Sequence, residues 1–291
     1  MKNLSPFLIC NMGVLMLSFT AVFSKLIEWP TLVTVCSRSL IAMLCLALFL
    51  IYKKQPLMIE KRQMPRAWLT GILLGMHWYT YFKAVELSSI AIGLTALFTF
   101  PIITTLIEPY WFKTPLSIKN LISASICFLG ICILLYGAKG DLKVLVGIAM
   151  GICSAMVYTL RNLISKPLLT HIPSPQLMLH QTMIASVFFM VILFFSGIPV
   201  KAIAFSKENM IYALLLGSLF TGVAHTCFMH GFKYFKASFV SILAAVQPFY
   251  GTLLGMLIIK ETPSMSTWIG GGITLLAIFY ATVYQAKIRA N

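Results

Sequence analysis

Residues 74–106 read LGMHWYTYFKAVELSSIAIGLTALFTFPIITTL, and residues 220–254 answer with FTGVAHTCFMHGFKYFKASFVSILAAVQPFYGTLL. An offset of 147 residues superposes Ala84 on Gly231, Pro101 on Pro248 and Thr114 on Glu261, with apolar runs matching on either side. The chain is a tandem duplication, and its composition fixes the solvent of the duplicated unit. With 59% hydrophobic and 10% charged residues and a mean hydropathy of +0.93, most of its surface cannot be hydrated. This is the composition of a polytopic membrane protein.

Apolar runs long enough to cross a hydrocarbon core of about 30 Å recur along the whole sequence. The pattern predicts an all-α protein of ten transmembrane helices over 4–27, 30–52, 67–85, 90–112 and 116–137, then 142–165, 174–196, 209–232, 237–259 and 264–286. The repeats divide into residues 1–138 and 139–291. Met1-Lys2 and the apolar run behind them lack a small-x-small cleavage site, so the first run reads as a retained helix and not a leader peptide. Cysteines 10, 36, 45, 127, 132, 153 and 227 all fall inside spans with no CxxC and no His at ligand spacing. They read as buried free thiols, with no metal and no cofactor expected.

The net charge of +15 follows the topology. With a cytoplasmic N-terminus, Lys53, Lys54, Lys61, Arg62, Arg66, Lys113, Lys119, Lys166, Lys233, Lys236, Lys287 and Arg289 fall on the cytoplasmic side. Lys25, Lys83, Lys139, Lys143, Lys201, Lys207 and Lys260 fall opposite. The positive-inside bias places both termini in the cytoplasm of a multi-pass protein of the cell inner (plasma) membrane. The basic residues face anionic headgroups of the lipid bilayer, and no nucleic acid partner is implied. Five spans per repeat is an odd number, so the second copy enters with inverted orientation. Inverted repeats suit alternating access around a midplane site.

Two five-helix repeats, a proline in the middle of each fourth helix and the segment IIKETPS (258–264) closing the ninth span resemble the EamA branch of the drug/metabolite transporter superfamily. The resemblance covers essentially the whole chain. It implies spans one to four and six to nine around a central cavity, five and ten at the periphery, and secondary transport of a small-molecule substrate. MHWYTYF (76–82) and Glu108-Pro109 look like a subgroup of bacterial permeases. The chain departs from the family pattern at Thr114, where an acidic residue matching Glu261 is expected. It departs again at Gln181, which replaces in the second copy the arginine that SRSLIA supplies as Arg38.

Candidate site residues follow from what a membrane interior makes costly. Pro101 and Pro248 each remove a backbone hydrogen bond near mid-span and open their helices locally, either to line a cavity and flex or as static kinks. A charge in a span costs at least about 2.5 to 3.5 kcal/mol on insertion scales. Glu108 lies seven residues after Pro101 with Thr104 and Thr105 between them on one face. It is either a proton-coupling or substrate-ammonium carboxylate, or a group about one turn from the cytoplasmic end that snorkels or pairs with Arg161. Arg38, some eight residues into its helix, either receives a substrate carboxylate or phosphate or is a strut on backbone carbonyls. His77 and His225, the latter aligned with Trp78, are candidates for proton relay or ligand binding, or are packing groups. Trp78, Tyr79 and Tyr81 suit stacking against a planar substrate and equally suit plain packing. GTLLG (251–255) reads as close helix packing, and Gly270–Gly272 as packing within the bundle or in a homodimer.

The substrate-binding set is therefore Arg38, His77, Trp78, Tyr81, Pro101, Thr105, His225 and Pro248, with Glu108 and His77 for proton coupling. The predicted function is secondary transport of an amino-acid-like or small amphiphilic metabolite, in the direction of export. Lipid translocation or a non-transporting subunit is the alternative. No HExxH and no nucleophile with a base at fixed reach supports an enzyme.

Overall fold

The computed structural model describes residues 5–113, 115, 118–137, 141–199 and 203–290. Thr114, Lys139 and Lys201 lie outside the described residues, as do the division between repeats at 138/139 and the side chains of Lys119, Lys287 and Arg289. Ten helical rods follow one another within the described residues. They are α1 (Pro6–Leu26), α2 (Thr31–Tyr52), α3 (Met64–Leu87), α4 (Ile90–Trp111) and α5 (Ile118–Gly137), then α6 (Leu142–Leu168), α7 (Ser174–Phe195), α8 (Lys207–Tyr234), α9 (Ala237–Ile259) and α10 (Met265–Ala290). Seven of them, α1, α2, α4 and α6 to α9, are long and apolar enough to cross a membrane. The rods match the expected spans to within a few residues. Their starts carry the signals that stop a backbone N–H from being orphaned. Ser5 caps α1 through Leu8 N–H, Ser89 caps α4 through Ile92 N–H, and Ser206 caps α8 through Asn209 N–H.

The bundle has its apolar surface outside. Leu48, Phe194 and Leu257 project from it at 65%, 81% and 69% exposure, while Thr34, Ser39, Thr104, Ser154, Thr182 and Ser186 are buried. Such a surface needs hydrocarbon as its solvent. The chain is a multi-pass membrane protein.

The packing repeats the duplication. α1 lies against α8 and α3 against α6, while α2 pairs with α7, α4 with α9 and α5 with α10. Matching the nth helix of one repeat to the nth of the other turns the α1–α8 contact into the α6–α3 contact and maps each remaining pair onto itself. That is the pattern a twofold between two five-helix repeats produces. Two glycines show it in detail. A Cβ on Gly71 of α3 would sit 2.8 Å from Ile184 Cβ and 3.0 Å from Gln181 O of α7. One on Gly217 of α8 would sit 2.5 Å from Ile41 Cβ and 3.1 Å from Arg38 O of α2. Arg38 and Gln181 thus hold equivalent places, as the sequence alignment has them.

Four rods are interrupted. α4 breaks at Phe98–Thr99 and resumes with Pro101 in its first turn, and α9 narrows to a 3₁₀ turn at Ala244–Val246 and resumes with Pro248 in the same position. Both prolines sit where an absent N–H costs least. α1 breaks at Ser18–Phe19 with no proline. The hydroxyl of Ser18 donates to Val14 O at 3.1 Å and that of Thr20 to Leu17 O, competing with the backbone ladder. α8 widens into a π segment at Ser218–Val223, where Thr221 Oγ1 donates to Leu216 O. Lys113 and Lys260, equivalent at the 147-residue offset, both turn left-handed at the ends of α4 and α9 with φ of 55° and 59°.

Candidate functional site

The interruptions meet. A cavity of about 30 Å³ at the centre of the bundle is lined by Leu17 and Thr20 at the α1 break, Leu97, Phe98 and Phe100 at the α4 break, and Gln247 at the α9 break. His225 enters just beyond the π segment of α8, and Arg38, His77, Trp78, Tyr81 and Tyr158 complete the wall from α2, α3 and α6. This volume holds a water or two, so the conformation is closed around the site. Phe100 and Gln247 are equivalent at the repeat offset, each the immediate predecessor of its proline. α5 and α10 contribute no lining residue among those described, and neither does α7, which the family resemblance places around the cavity.

Arg38 is completely buried. Its Nε donates to Thr221 Oγ1 at 3.0 Å, and because that hydroxyl donates to Leu216 O, its lone pair faces the guanidinium. The guanidinium carbon stands 4.4 Å from the Trp78 ring centroid and 4.8 Å from that of Phe82. Nη1 and Nη2 have no protein partner. The strut on backbone carbonyls that the sequence allowed is not what forms. Arg38 rests on a hydroxyl and two aromatic faces, and its fork is free.

The histidines are held by specific contacts. Ser154 Oγ donates to His77 O at 2.9 Å and lies 2.7 Å from His77 Nδ1, so Nδ1 carries the hydrogen in that pair. The His77 ring stacks on Tyr158 at 4.1 Å. Trp78 Nε1 donates to His225 Nε2 at 3.4 Å, which makes Nε2 the acceptor and leaves Nδ1 as a donor without a partner. Trp78 and His225 are aligned in the two repeats and touch each other, so the repeat axis passes through this contact.

A second guanidinium lies in the bundle, and sequence reasoning gave it only a supporting part. Arg161 of α6 is fully buried, and its Nε and Nη2 donate to Gln181 Oε1 while Nη1 donates to Asn162 Oδ1 at 2.9 Å. Gln181 Nε2 in turn donates to Thr70 Oγ1 at 2.8 Å and Ser165 Oγ at 3.1 Å. Gln181 therefore does not leave the second repeat without an arginine. It orients one that arrives from the neighbouring helix.

Of the predicted site residues, Arg38, His77, Trp78, Tyr81 and His225 line the cavity. Pro101 and Pro248 stand directly behind lining residues, and the hydroxyl of Thr105 is turned onto Pro101 O at 2.7 Å. Glu108 lies further along α4, 8% exposed, where Ala237 and Ser238 N–H donate to its two oxygens at 3.0 Å each. Its partner is the first turn of α9, and Arg161 is bonded elsewhere. Gly251 and Gly255 pack on Leu94 and Ile90 of α4, and the Gly270 carbonyl receives Gly130 of α5. Sequence reasoning missed Gln247, Tyr158 and Thr20. The predecessor of an aligned proline and a Ser/Thr pair in mid-span were the signals available.

These features define a duplicated, membrane-embedded helical bundle with an internal site between its halves. The model of the EamA-like transporter family matches residues 5–136 and 145–283, and the chain belongs to that family as a membrane transporter. It is 24% identical over 237 residues to the uncharacterised transporter YxxF of Bacillus subtilis (strain 168), across 80% of this chain and 74% of that one. A crystal structure with 16% identity superposes with a TM-score of 0.74 over 97% of this chain and 98% of its own, which establishes the likeness of fold.

Proposed function

We propose that the protein is a secondary transporter that moves a small metabolite, amino-acid-like or a small amphiphile, out across the cell inner membrane by alternating access. In this reading all ten rods span the bilayer, the end carrying Lys53, Arg62 and Lys233 is cytoplasmic, and the two repeats are inverted about an axis in the membrane plane. The observation that carries the reading is the convergence of interrupted helices from both repeats on one enclosed cavity. Broken backbone at membrane depth is tolerated where it lines such a space, and it gives each half-helix a hinge.

Uptake and counterflow of a labelled metabolite panel in proteoliposomes test the reading, with and without an imposed pH gradient. Saturable counterflow establishes a carrier. A response to the gradient adds proton coupling, for which His77 in the wall and Glu108 at the α9 terminus are the groups to substitute. Absence of flux for every compound sinks the reading.

One feature supports lipid as an alternative cargo. A crevice of about 480 Å³ runs between α2 and α8 beside the start of α7, with Phe49, Ile172 and Val223 in its wall and Lys53, His230 and Lys233 among its polar groups. Translocation of a fluorescent phospholipid in the same vesicles decides between the two.

A further inference from the structure

We infer that the solute of the central cavity is an organic monocarboxylate with a flat or apolar body, its carboxylate received by the free fork of Arg38. This deepens the transporter reading and rests on the enclosed cavity being the solute site. Among the fully buried polar atoms of the cavity wall, Nη1 and Nη2 of Arg38 and Nδ1 of His225 lack a partner. All three are donors, given the hydrogen bond from Trp78 to the other nitrogen of His225. Unpartnered donors buried beside a cationic group favour a ligand that brings acceptor oxygens.

Charge points the same way. The chain has seven acidic residues, Glu28, Glu60, Glu86, Glu108, Asp141, Glu208 and Glu261. Ion pairs among the described residues are Lys25–Glu261 and Lys83–Glu86, so neither buried guanidinium has a carboxylate partner. Arg161 is surrounded by the dipoles of Gln181 and Asn162, whereas Arg38 is left with one hydroxyl and two aromatic rings. Its counter-ion therefore has to come from outside the chain.

The donor set also narrows the anion. Two parallel N–H groups on a planar fork match the two oxygens of a carboxylate, and the His225 N–H is a further unpartnered buried donor in the wall. A phosphate would bring more oxygens and more charge than these groups answer. Apart from Thr20, His77 and Gln247 the rest of the wall is aromatic or aliphatic, with Trp78, Phe98, Phe100 and Tyr158 among its rings, which suits a solute whose body is flat or apolar and stacks. Binding turns an isolated cation into a neutral pair, and a neutral pair is what a membrane interior lets move.

The test is equilibrium binding to purified wild-type protein in nanodiscs at constant ionic strength. Benzoate and hexanoate are compared with benzamide, hexanamide, benzylamine and inorganic phosphate, reading the melting temperature and tryptophan fluorescence. Saturable shifts with the two carboxylates and none with their amides or the amine are expected. Affinity should fall at least tenfold in Arg38→Lys, which keeps the charge and loses the fork, and vanish in Arg38→Gln. Equal response to acid and amide, preference for the amine or for phosphate, no selective shift for the carboxylates, or full affinity in Arg38→Gln each overturns the inference. The acid-against-amide comparison needs no variant and so stands if a substitution misfolds. Carboxylate binding without flux in proteoliposomes retires the transporter reading alone, and flux of amides or amines without carboxylate binding retires this inference alone.

Discussion

Glu108 and Glu261 do the same work at opposite ends of the bundle, each bonding the first turn of the other repeat's fourth helix. From α4, Glu108 accepts N–H bonds from Ala237 and Ser238 at the start of α9. From the end of α9, Glu261 accepts the N–H of Ile90 at the start of α4, at 3.0 Å to its nearer oxygen, and also holds Lys25 of α1 at 2.8 Å. A carboxylate at a helix N-terminus satisfies orphaned donors and meets the positive end of the helix dipole. The two broken, antiparallel helices are thus clasped at both ends, and the cavity between them is shut. Glu108 is six positions short of the residue that aligns with Glu261. The acidic partner missing from the aligned position is supplied earlier in the same helix.

The clasps make a prediction about sidedness. Glu108→Ala removes two hydrogen bonds to a charged acceptor, at about 1.5–3 kcal/mol each, and should lower the melting temperature. It should also speed modification of a cysteine placed at Thr20, in a background without native thiols, by an impermeant maleimide added at the Lys233 end. Glu261→Ala should speed modification of the same cysteine from the Lys25 end. If both substitutions open the same face, or neither opens any, the clasps are static braces and play no part in exchange.

The two buried arginines should respond oppositely to the same substitution. Arg38 carries an unpartnered charge whose burial costs at least about 2.5–3.5 kcal/mol on insertion scales. Arg38→Met should therefore leave the empty protein as stable as wild type or more so. Arg161→Met should destabilise by about 2–4 kcal/mol, because it strands Gln181 Oε1 and Asn162 Oδ1 in a dry interior. Melting of the purified variants without ligand separates the two. A large loss in Arg38→Met would mean that its ring contacts and its bond to Thr221 hold the bundle together.

Much of this architecture could be read from the chain because it is written twice. Aligned Pro101 and Pro248 located the breaks in α4 and α9, and the composition located the membrane. What stayed hidden was set by partners distant in sequence. Nothing local says that Gln181 orients an arginine of α6, or that Glu108 faces the amides of Ala237 and Ser238 instead of Arg161. The α1 break was missed because side-chain competition at Ser18 and Thr20 leaves a weaker mark than a proline. Arg38, His77, Trp78, Tyr81 and His225, which line the central cavity, stand out in the sequence because polar and aromatic groups in mid-span are costly enough to need a reason.

Two glycines test which contacts set the distances between helices. A Cβ on Gly13 of α1 would meet Phe228 N at 2.6 Å, Ala224 O at 2.7 Å and Cys227 Cβ at 2.9 Å, all on or beside the α8 backbone. Gly13→Ala must therefore push α1 and α8 apart, and about 1–3 kcal/mol of destabilisation is expected for overpacking of this kind. A Cβ on Gly251 of α9 would come closer still, 2.3 Å from Leu94 Cδ1, but that atom is the end of a flexible side chain, and the next neighbour, Ser18 O, is 3.5 Å away. Leu94 can turn aside, and alanine is favoured over glycine in a helix by up to about 1 kcal/mol. Gly251→Ala should then lie within about 1 kcal/mol of wild type. Melting temperatures of the two variants give the order. Should Gly251→Ala prove as damaging as Gly13→Ala, small residues, and not the carboxylates of Glu108 and Glu261, would fix the spacing of α4 and α9.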